Sequence, residues 1–216
     1  MLDAVNLTCE RGERTLFAGL EFAVAGGSML RVAGPNGTGK TSLLRVLCGL
    51  LEPRAGEVRW RGRNIARQRE EYWNELVYVG HLNGVKDDLT VVENLTVAQA
   101  IAGRDTQHAN LRGALDAVGL GGFEHTMARF LSQGQRRRIA LARLFATTTA
   151  PLWILDEPFT ALDQRGVAAL SQLIASHCGN GNMVVLVTHQ DVAIDVPRQQ
   201  HIGLAGSAAS VGEAAC

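Results

Sequence analysis

The first 33 residues alternate short apolar runs with polar residues, mostly Gly, Glu and Arg. The apolar runs are 4–7, 15–17, 20–24 and 29–33. Short apolar runs separated by turn-forming residues are typical of β-hairpins. The pattern therefore predicts an antiparallel β-layer that leads into a buried strand at 29–33, and a helix is predicted after it, from Thr41 to near Gly49.

Two further strands are indicated before the centre of the chain. Residues 57–60 alternate polar and apolar side chains, as in a half-exposed strand, whereas 76–79 form a continuous apolar run, as in a buried strand. We expect both strands to contribute to the same core.

The β pattern then ends, and the middle third of the chain is predicted to be helical. Thr90 and Glu93 form a capping box that opens a helix through residue 102, and a second helix is predicted at 111–118. We expect the segment of about 83–145 to be a helical subdomain inserted in the core of a single domain, 1–216.

The last third returns to strands. Apolar runs at 152–155 and 183–187 flank a helical pattern at 164–177, which is the strand–helix–strand order of a parallel sheet. Residues 203–216 are rich in Ala, Gly and Ser. We expect them to form a frayed, flexible tail.

Composition excludes several classes of function. Acidic and basic residues balance at 21 each, so no overall field favours nucleic acid or an anionic membrane as a partner. The chain has four cysteines, Cys9, Cys48, Cys178 and Cys216, which lie far apart and show no C-x-x-C spacing. This spacing argues against a zinc site or a disulfide framework and fits a reducing cytosol. No apolar run approaches the roughly 20 residues that span a bilayer, so a role at a membrane would need a partner that supplies the membrane part.

The most informative stretch follows the strand at 29–33 and fits the phosphate-binding pattern G-x-x-x-x-G-K-[ST]. It consists of Gly34, Pro35, Asn36, Gly37, Thr38, Gly39, Lys40 and Thr41. Its glycines allow consecutive backbone N–H groups to surround a polyphosphate, and the following helix adds the positive end of its dipole. We expect Lys40 to reach the β- and γ-phosphates and Thr41 to bind Mg²⁺.

A second stretch, 131–138, predicts another helix N-terminus suited to an anion. Ser132 and Gln135 form a capping box, while Gly134 in the first turn costs about 1 kcal/mol relative to Ala. Three arginines follow at 136–138, where the positive end of the helix dipole disfavours them unless something negative approaches. The alternative is an ordinary capped helix with a solvated basic face.

The third stretch is an apolar strand that ends in two carboxylates. Asp156 is suited to hold the Mg²⁺ shell, and Glu157 to polarise the water that attacks the γ-phosphate. Adjacent acids after a strand are also common in turns. Asp163 downstream could serve simply as a helix N-cap, and His189, at the end of the last core strand, as a structural hydrogen-bonding residue.

Together these stretches resemble the nucleotide-binding domain of ABC (ATP-binding cassette) proteins. The motifs are GPNGTGKT at 34–41, LSQGQ at 131–135, LWILDEP at 152–158, TALD at 160–163 and VTH at 187–189. The resemblance implies an α/β P-loop NTPase fold with a RecA-like core, an antiparallel β-subdomain and a helical subdomain. It also implies an ATPase that uses ATP and Mg²⁺.

The resemblance assigns roles to individual positions. Catalysis falls to Lys40, Glu157 and the γ-phosphate sensor His189, and Mg²⁺ binding to Thr41, Asp156 and, at the Q-loop position, His81. Nucleotide binding falls to residues 34–41, Ser42, Asp163 and the signature residues Ser132, Gly134 and Gln135. In this family two domains pair head to tail, so ATP lies between the phosphate loop of one and the Ser132 helix of the other. The resemblance thus implies a nucleotide-dependent homodimer.

A narrower resemblance concerns 6–17, 78–86 and 151–163, which are similar to the ATP-binding subunits of cytochrome c maturation (haem exporter) ABC complexes. It implies a peripheral subunit on the cytoplasmic face of the bacterial inner membrane, which drives haem export or releases a haem-loaded chaperone from integral membrane subunits. The alternatives are another small-solute ABC transporter or a soluble ABC ATPase acting on ribosomes or DNA. We expect no nucleic-acid partner and no direct membrane insertion.

Two positions depart from the general ABC pattern. Arg11 lies near the position where an aromatic side chain usually stacks on adenine, and the closest ring in the sequence is Phe17. Base selectivity is therefore expected to be weak unless Arg11 or Arg14 stacks its guanidinium plane on the base. His81 stands where the Q-loop glutamine is expected, at the junction that would face the membrane partner.

Overall fold

The computed structural model describes residues 1–103, 110–146, 149–205 and, as backbone alone, 208–213. The strands of this part are β1 (Leu2–Arg11), β2 (Arg14–Val24), β3 (Ser28–Ala33), β4 (Ala55–Trp60), β5 (Arg63–Asn64), β6 (Leu76–Val79), β7 (Leu152–Asp156), β8 (Met183–Val187), β9 (Arg198–Ala205) and β10 (Ala208–Glu213). Its helices are α1 (Lys40–Leu47), α2 (Arg69–Asn74), α3 (Val91–Ile101), α4 (Leu111–Ala117), α5 (Gln133–Ala146) and α6 (Gln164–Gly179).

The predicted antiparallel β-layer is confirmed. It is a four-stranded sheet in the order β2-β1-β4-β5. Strands β1 and β2 form a long hairpin in which Leu2 pairs with Val24 and Arg11 with Arg14. The two apolar runs predicted between 15 and 24 belong to the single strand β2, and 57–60 lies in β4 of the same sheet.

A second, six-stranded sheet has the order β10-β9-β3-β8-β7-β6. Strands β9, β3, β8, β7 and β6 run parallel, and β7 and β8 are buried at every residue, which explains their continuous apolar runs. Carboxyl ends of parallel strands meet at one edge of a sheet. The loop after β3, the residues after β7 and those after β8 therefore converge there.

Two apolar cores cover the two faces of this sheet. Alternate residues of β8 point to opposite sides, so Val185 packs with α1 and the antiparallel sheet, whereas Val184 packs with helices α3 to α6. The capping box predicted at Thr90 and Glu93 is confirmed at the start of α3. Among the described residues, no helix combines the length and apolar character required to cross a membrane.

The prediction of a frayed tail from residue 203 is wrong for residues 203–205 and 208–213, which lie in strands. Strand β9 pairs with β3 as far as Gly203 and continues to Ala205, and β10 pairs with β9 antiparallel. Residues 206–207 and 214–216 of the predicted tail lie outside the described part of the chain. The physical reason is the alternation of Ile202 and Leu204, which are fully or almost fully buried, with smaller or polar neighbours. Helix α2, which packs Tyr72 into the first core, also had no counterpart among the predicted elements.

Candidate active site

The loop between β3 and α1 is shaped by three glycines with positive φ. These angles are 146° at Gly34, 80° at Gly37 and 100° at Gly39. A Cβ atom at Gly34 would lie 2.4 Å from the carbonyl oxygen of Leu204, and one at Gly39 would lie 2.9 Å from the Cβ of Leu16. A Cβ at Gly37 would meet nothing within 4 Å, so this position needs glycine for its backbone conformation and not for space.

Lys40 begins α1 and folds back over the loop. Its Nζ donates hydrogen bonds to the carbonyl oxygens of Gly34 at 2.6 Å and Pro35 at 2.9 Å, while Thr38 Oγ1 donates to the same Pro35 oxygen at 2.9 Å. Gly39, the N-cap, has no side chain to cap the helix. The first N–H groups of α1 are thus available to an anion at the mouth of the loop.

Thr41 and Asp156 bring two oxygen ligands together. Thr41 Oγ1 donates a hydrogen bond to Asp156 Oδ2 at 3.0 Å, although 115 positions separate the two residues, and Asp156 is buried. Within the described residues, no group of three or more His, Cys, Asp or Glu side chains could hold a metal ion. The pair fits Mg²⁺ because this ion commonly takes one or two protein oxygens and completes its shell with water and substrate phosphates.

Glu157 and His189 meet where β7 and β8 end. The Glu157 N–H donates to the carbonyl oxygen of Val187 at 2.9 Å, and the His189 N–H donates to Glu157 Oε2 at 3.2 Å. His189 Nε2 lies 3.5 Å from Glu157 Oε1. This Oε1 is buried and has no hydrogen-bond partner among the described residues. Glu157 as a residue lines the cavity, so its carboxylate is the acidic group placed to act on a bound water.

These groups line one cavity of about 320 Å³. Its lining includes Asn36, Gly37, Gly39, Lys40, Thr41, Ser42, His81, Asp156, Glu157 and His189. His81 is exposed on its wall. The structure therefore gathers the predicted catalytic and metal-binding residues. The predicted nucleotide-binding residues that are not part of this lining are Gly34, Pro35 and Thr38 of the phosphate loop, and Ser132, Gly134, Gln135 and Asp163.

The N-terminus of α5 lies apart from the cavity and is capped as predicted. The Ser132 N–H donates to Gln135 Oε1 at 2.9 Å, and the Gln135 N–H donates to Ser132 Oγ at 3.2 Å. A Cβ at Gly134 would lie 3.5 Å from the Cβ of Ala161, an ordinary contact. Packing within the chain therefore does not require glycine at this position.

Asp163 caps helix α6. Its Oδ1 accepts a hydrogen bond from the Gly166 N–H at 2.8 Å, and its backbone is extended, as in an N-cap. The N-cap alternative is thus confirmed, while a direct role of Asp163 toward nucleotide stays a prediction.

The arginines at 136–138 lie at the positive end of the α5 dipole, where they are unfavourable unless something negative approaches. Each has a partner within the chain. Arg136 forms an ion pair with Asp87 at 2.8 Å, and Arg138 Nε donates to the carbonyl oxygen of Ala161 at 3.3 Å. These tertiary contacts, which sequence spacing does not reveal, help to accommodate the arginines. An anion at this helix N-terminus stays a prediction.

Arg137 makes the most extensive of these contacts. Its guanidinium donates to the carbonyl oxygens of Gly80, Asp156 and Glu157. Burial lowers its pKa, and the nearby carboxylates of Asp156 and Glu157 oppose that decrease. The sequence analysis missed this residue because its partners lie 19 to 57 positions away.

The hairpin β1–β2 contributes no aromatic ring to the described lining of the cavity. Phe17 is only 1% exposed and is packed in the first core, so it cannot stack on a base. Arg11 and Leu16 line the cavity instead, and Arg14 lies beside Arg11 on the paired strand. The hairpin therefore contributes a guanidinium and an aliphatic side chain to the lining.

The sequence matches the family described as "ABC transporter" over residues 17–160. The chain belongs to the ABC transporter family. The predictions of an ABC-type ATPase that binds ATP and of its P-loop fold are therefore confirmed.

Curated relatives of this ABC ATPase extend the match over nearly the whole chain. A protein of Aromatoleum aromaticum named "Cytochrome c biogenesis ATP-binding export protein CcmA" is 53% identical over 197 residues, covering 91% of this chain and 92% of the relative. A protein of the same name from Nitrosospira multiformis is 50% identical over 193 residues, covering 89% and 93%.

Solved structures show the same fold. The structure described as "Structure of ATP binding subunit of ABC transporter" has a TM-score of 0.83 and 23% identity, covering 98% of this chain and 90% of that chain. A dimeric ATP-binding cassette in a post-hydrolysis state, bound to ADP and Pi, has a TM-score of 0.81 and 23% identity, covering 98% of both chains.

Proposed function

We propose that this ABC ATPase is the ATP-hydrolysing subunit of a cytochrome c biogenesis export complex. Its hydrolysis would drive haem export or the release of a haem-loaded chaperone from integral membrane subunits. The observation that carries the proposal is the identity of about half of all residues to relatives named cytochrome c biogenesis ATP-binding export proteins, across roughly nine tenths of both chains. The chain would act on the cytoplasmic face of the bacterial inner membrane, as a peripheral subunit.

The cavity supports a one-step hydrolysis. Lys40 and the N–H groups of 34–41 would bind the phosphates, while Thr41 and Asp156 would hold Mg²⁺, which neutralises charge on the phosphate oxygens. Water attacks the γ-phosphorus as the bond to the β-phosphate oxygen breaks, and ADP leaves. The Glu157 carboxylate would accept the proton of the water, and His189 is close enough to orient that carboxylate.

A complete site would require a second copy of the chain. Ser132, Gly134 and Gln135 lie at a capped helix N-terminus that does not reach the cavity of their own chain. In a head-to-tail homodimer this N-terminus would face the γ-phosphate bound by the partner. Support comes from the dimeric cassette with the same fold and from the absence of a packing reason for Gly134 within the chain.

An apolar groove of about 640 Å³ supports a membrane partner. It lies between the end of α1, helix α2 and helix α3, and it exposes Leu50 at 58%, Trp73 at 45% and Ile101 at 83%. Large exposed apolar side chains grouped in one groove are typical of protein interaction sites. We assign this groove to an integral membrane subunit.

Copurification tests the proposal. The chain is tagged in its native host, membranes are solubilised gently, and accompanying proteins are identified by mass spectrometry. We expect haem-handling membrane subunits. Recovery with an unrelated permease would favour another small-solute transporter, and recovery only with ribosomes or nucleic acid would exclude a transporter.

Two substitutions in the groove sharpen this test. Trp73→Ser combined with Ile101→Ser should preserve ATP binding and abolish recovery of the membrane subunits. Val97→Ser is the matched control, because Val97 is an exposed apolar residue of α3 outside the groove lining. If the double variant retains the membrane subunits, the groove assignment is wrong.

A further inference from the structure

Arg137 joins the signature helix to the catalytic strand ends. It lies in the second turn of α5 and is only 7% exposed. Its Nη2 donates to the carbonyl oxygens of Asp156 at 2.5 Å and Glu157 at 3.1 Å, and its Nη1 donates to that of Gly80 at 2.5 Å. A single side chain thus links α5 to residues at the ends of β6 and β7.

The carbonyl groups bound by Arg137 are placed so that they restrain the backbone of Glu157. The Asp156 and Glu157 oxygens belong to the two peptide groups on either side of the Glu157 Cα. Fixing both peptides restrains φ and ψ of Glu157, whose φ of 50° is unfavourable for a residue with a side chain. These angles set the direction of the carboxylate. The Gly80 oxygen belongs to the peptide that precedes His81, another residue of the cavity wall.

We propose that Arg137 is a positioning residue for ATP hydrolysis, which holds the Glu157 carboxylate toward the cavity and makes its direction depend on the position of α5. The inference rests on the proposed role of Glu157 as the base. Because α5 begins beside Ser132, a ligand that contacts this N-terminus would bias the same rigid helix and, through Arg137, the catalytic carboxylate.

The chemistry of the guanidinium suits this role. Arginine presents a planar fork of donors, so it can bond to several carbonyl groups at once, whereas a lysine ammonium acts as a point charge. Arg137→Lys keeps the charge but cannot reach the Gly80 and Glu157 oxygens from two separate nitrogen atoms. Arg137→Gln removes the charge as well and keeps a side-chain donor.

The experiment measures kcat, KM and binding of a fluorescent ATP analogue, using the tagged chain as recovered with its membrane subunits. For Arg137→Gln we expect kcat to fall by about tenfold or more while nucleotide affinity changes less than about twofold, since Arg137 does not contact the phosphate loop. Arg137→Lys should restore part of kcat. Arg136→Gln is the matched control on the same helix, and its kcat should stay within about twofold of wild type because Asp87 lies outside the cavity.

A purely structural role would lower kcat and nucleotide affinity in proportion to the loss of folded protein, measured by thermal unfolding, and this result would overturn the proposal. A double-mutant cycle adds a second criterion. In a Glu157→Gln background, Arg137→Gln should cause no further loss of the residual rate, whereas a multiplied loss would show that Arg137 acts independently of Glu157.

The cycle also distinguishes a wrong assignment of Glu157 as the base from a wrong positioning role for Arg137. Normal turnover of Glu157→Gln alone would refute the assignment of the base in the proposed function. An inactive Glu157→Gln variant together with a wild-type kcat for Arg137→Gln would refute only the positioning role.

Discussion

Gly134→Ala should leave the fold of the single chain intact and weaken the proposed ATP-dependent dimer. The added Cβ would lie 3.5 Å from the Ala161 Cβ and 3.9 Å from Ser132 Oγ, both ordinary van der Waals distances. Alanine in place of glycine stabilises a helix by about 0.5–1 kcal/mol, and the lower end applies to a first turn. For a chain of this size, about 0.5 kcal/mol corresponds to an increase in Tm of about 1–2 °C.

The effect on function should have the opposite sign. In the proposed dimer the methyl group would stand between the N-terminus of α5 and the γ-phosphate bound by the partner. Loss of one hydrogen bond to a charged phosphate costs about 1.5–3 kcal/mol. The homodimer has two such contacts, so the loss of about 3–6 kcal/mol should weaken ATP-dependent dimerisation by about 10²- to 10⁴-fold. Binding of ATP to the single chain should not change, since Gly134 lies outside the cavity lining.

Sedimentation with ATP measures dimerisation in a Glu157→Gln background, where hydrolysis does not interfere, and thermal unfolding measures stability. Gly179→Ala is the matched control: Gly179 ends α6, and a Cβ there would meet nothing within 4 Å. It should leave dimerisation and ATPase activity unchanged. A Gly134→Ala variant that dimerises and hydrolyses ATP like wild type would refute the reasoning, because the helix N-terminus could then not contact the phosphate.

Three other outcomes are expected. Burial lowers the pKa of His177, which is stacked on Trp153 with the ring centroids 3.7 Å apart, from 6.5 to about 4. Between pH 6.5 and 4 the unfolded chain therefore binds more protons than the folded chain. The free energy of unfolding should fall by about 2 kcal/mol as pH decreases across this range. Urea titrations followed by tryptophan fluorescence measure this decrease, and a His177→Gln variant should lack it. Gly34→Ala should reduce ATP affinity by more than about tenfold in equilibrium binding, since its Cβ would lie 2.4 Å from the Leu204 carbonyl oxygen in a backbone with φ of 146°; near-normal binding would contradict this packing. GTP should be hydrolysed with a kcat/KM within about tenfold of that for ATP, and Arg11→Ala should lower both values about fivefold, because the described lining contains no Phe, Tyr or Trp ring. A strong preference for ATP in steady-state assays would contradict weak base selectivity.

Local signals allowed much of the fold to be predicted. The capping boxes at Thr90 and Ser132 rest on side chains three positions apart, and both are present in the structure. The C-terminal strand β9 was missed because Ala, Gly and Ser dominate the composition after Ile202, although Leu204 continues the alternation of a buried strand. Composition there suggested disorder, whereas pairing with β3 stabilises order.

In the candidate site, too, contiguous motifs could be predicted and contacts between distant segments could not. The phosphate loop and the acids after β7 could be located because each is a contiguous motif. The partners of Arg137 could not, because they come together only when the ends of β6 and β7 are adjacent in the sheet. The burial of Phe17, the closest ring in the sequence, could not be predicted either, since both Leu16 and Phe17 are buried where simple alternation in β2 would expose one of them.

The left-handed backbone of Glu157 has a consequence for how tolerant this site is to change. A residue with a side chain at φ of 50° costs on the order of 1–3 kcal/mol, and glycine relieves most of that cost. A Glu157→Gly chain would therefore be expected to fold at least as stably as the active one while lacking its base. Selection for stability alone would therefore favour glycine at position 157 and give an inactive protein. The glutamate is kept only if ATP turnover itself is required.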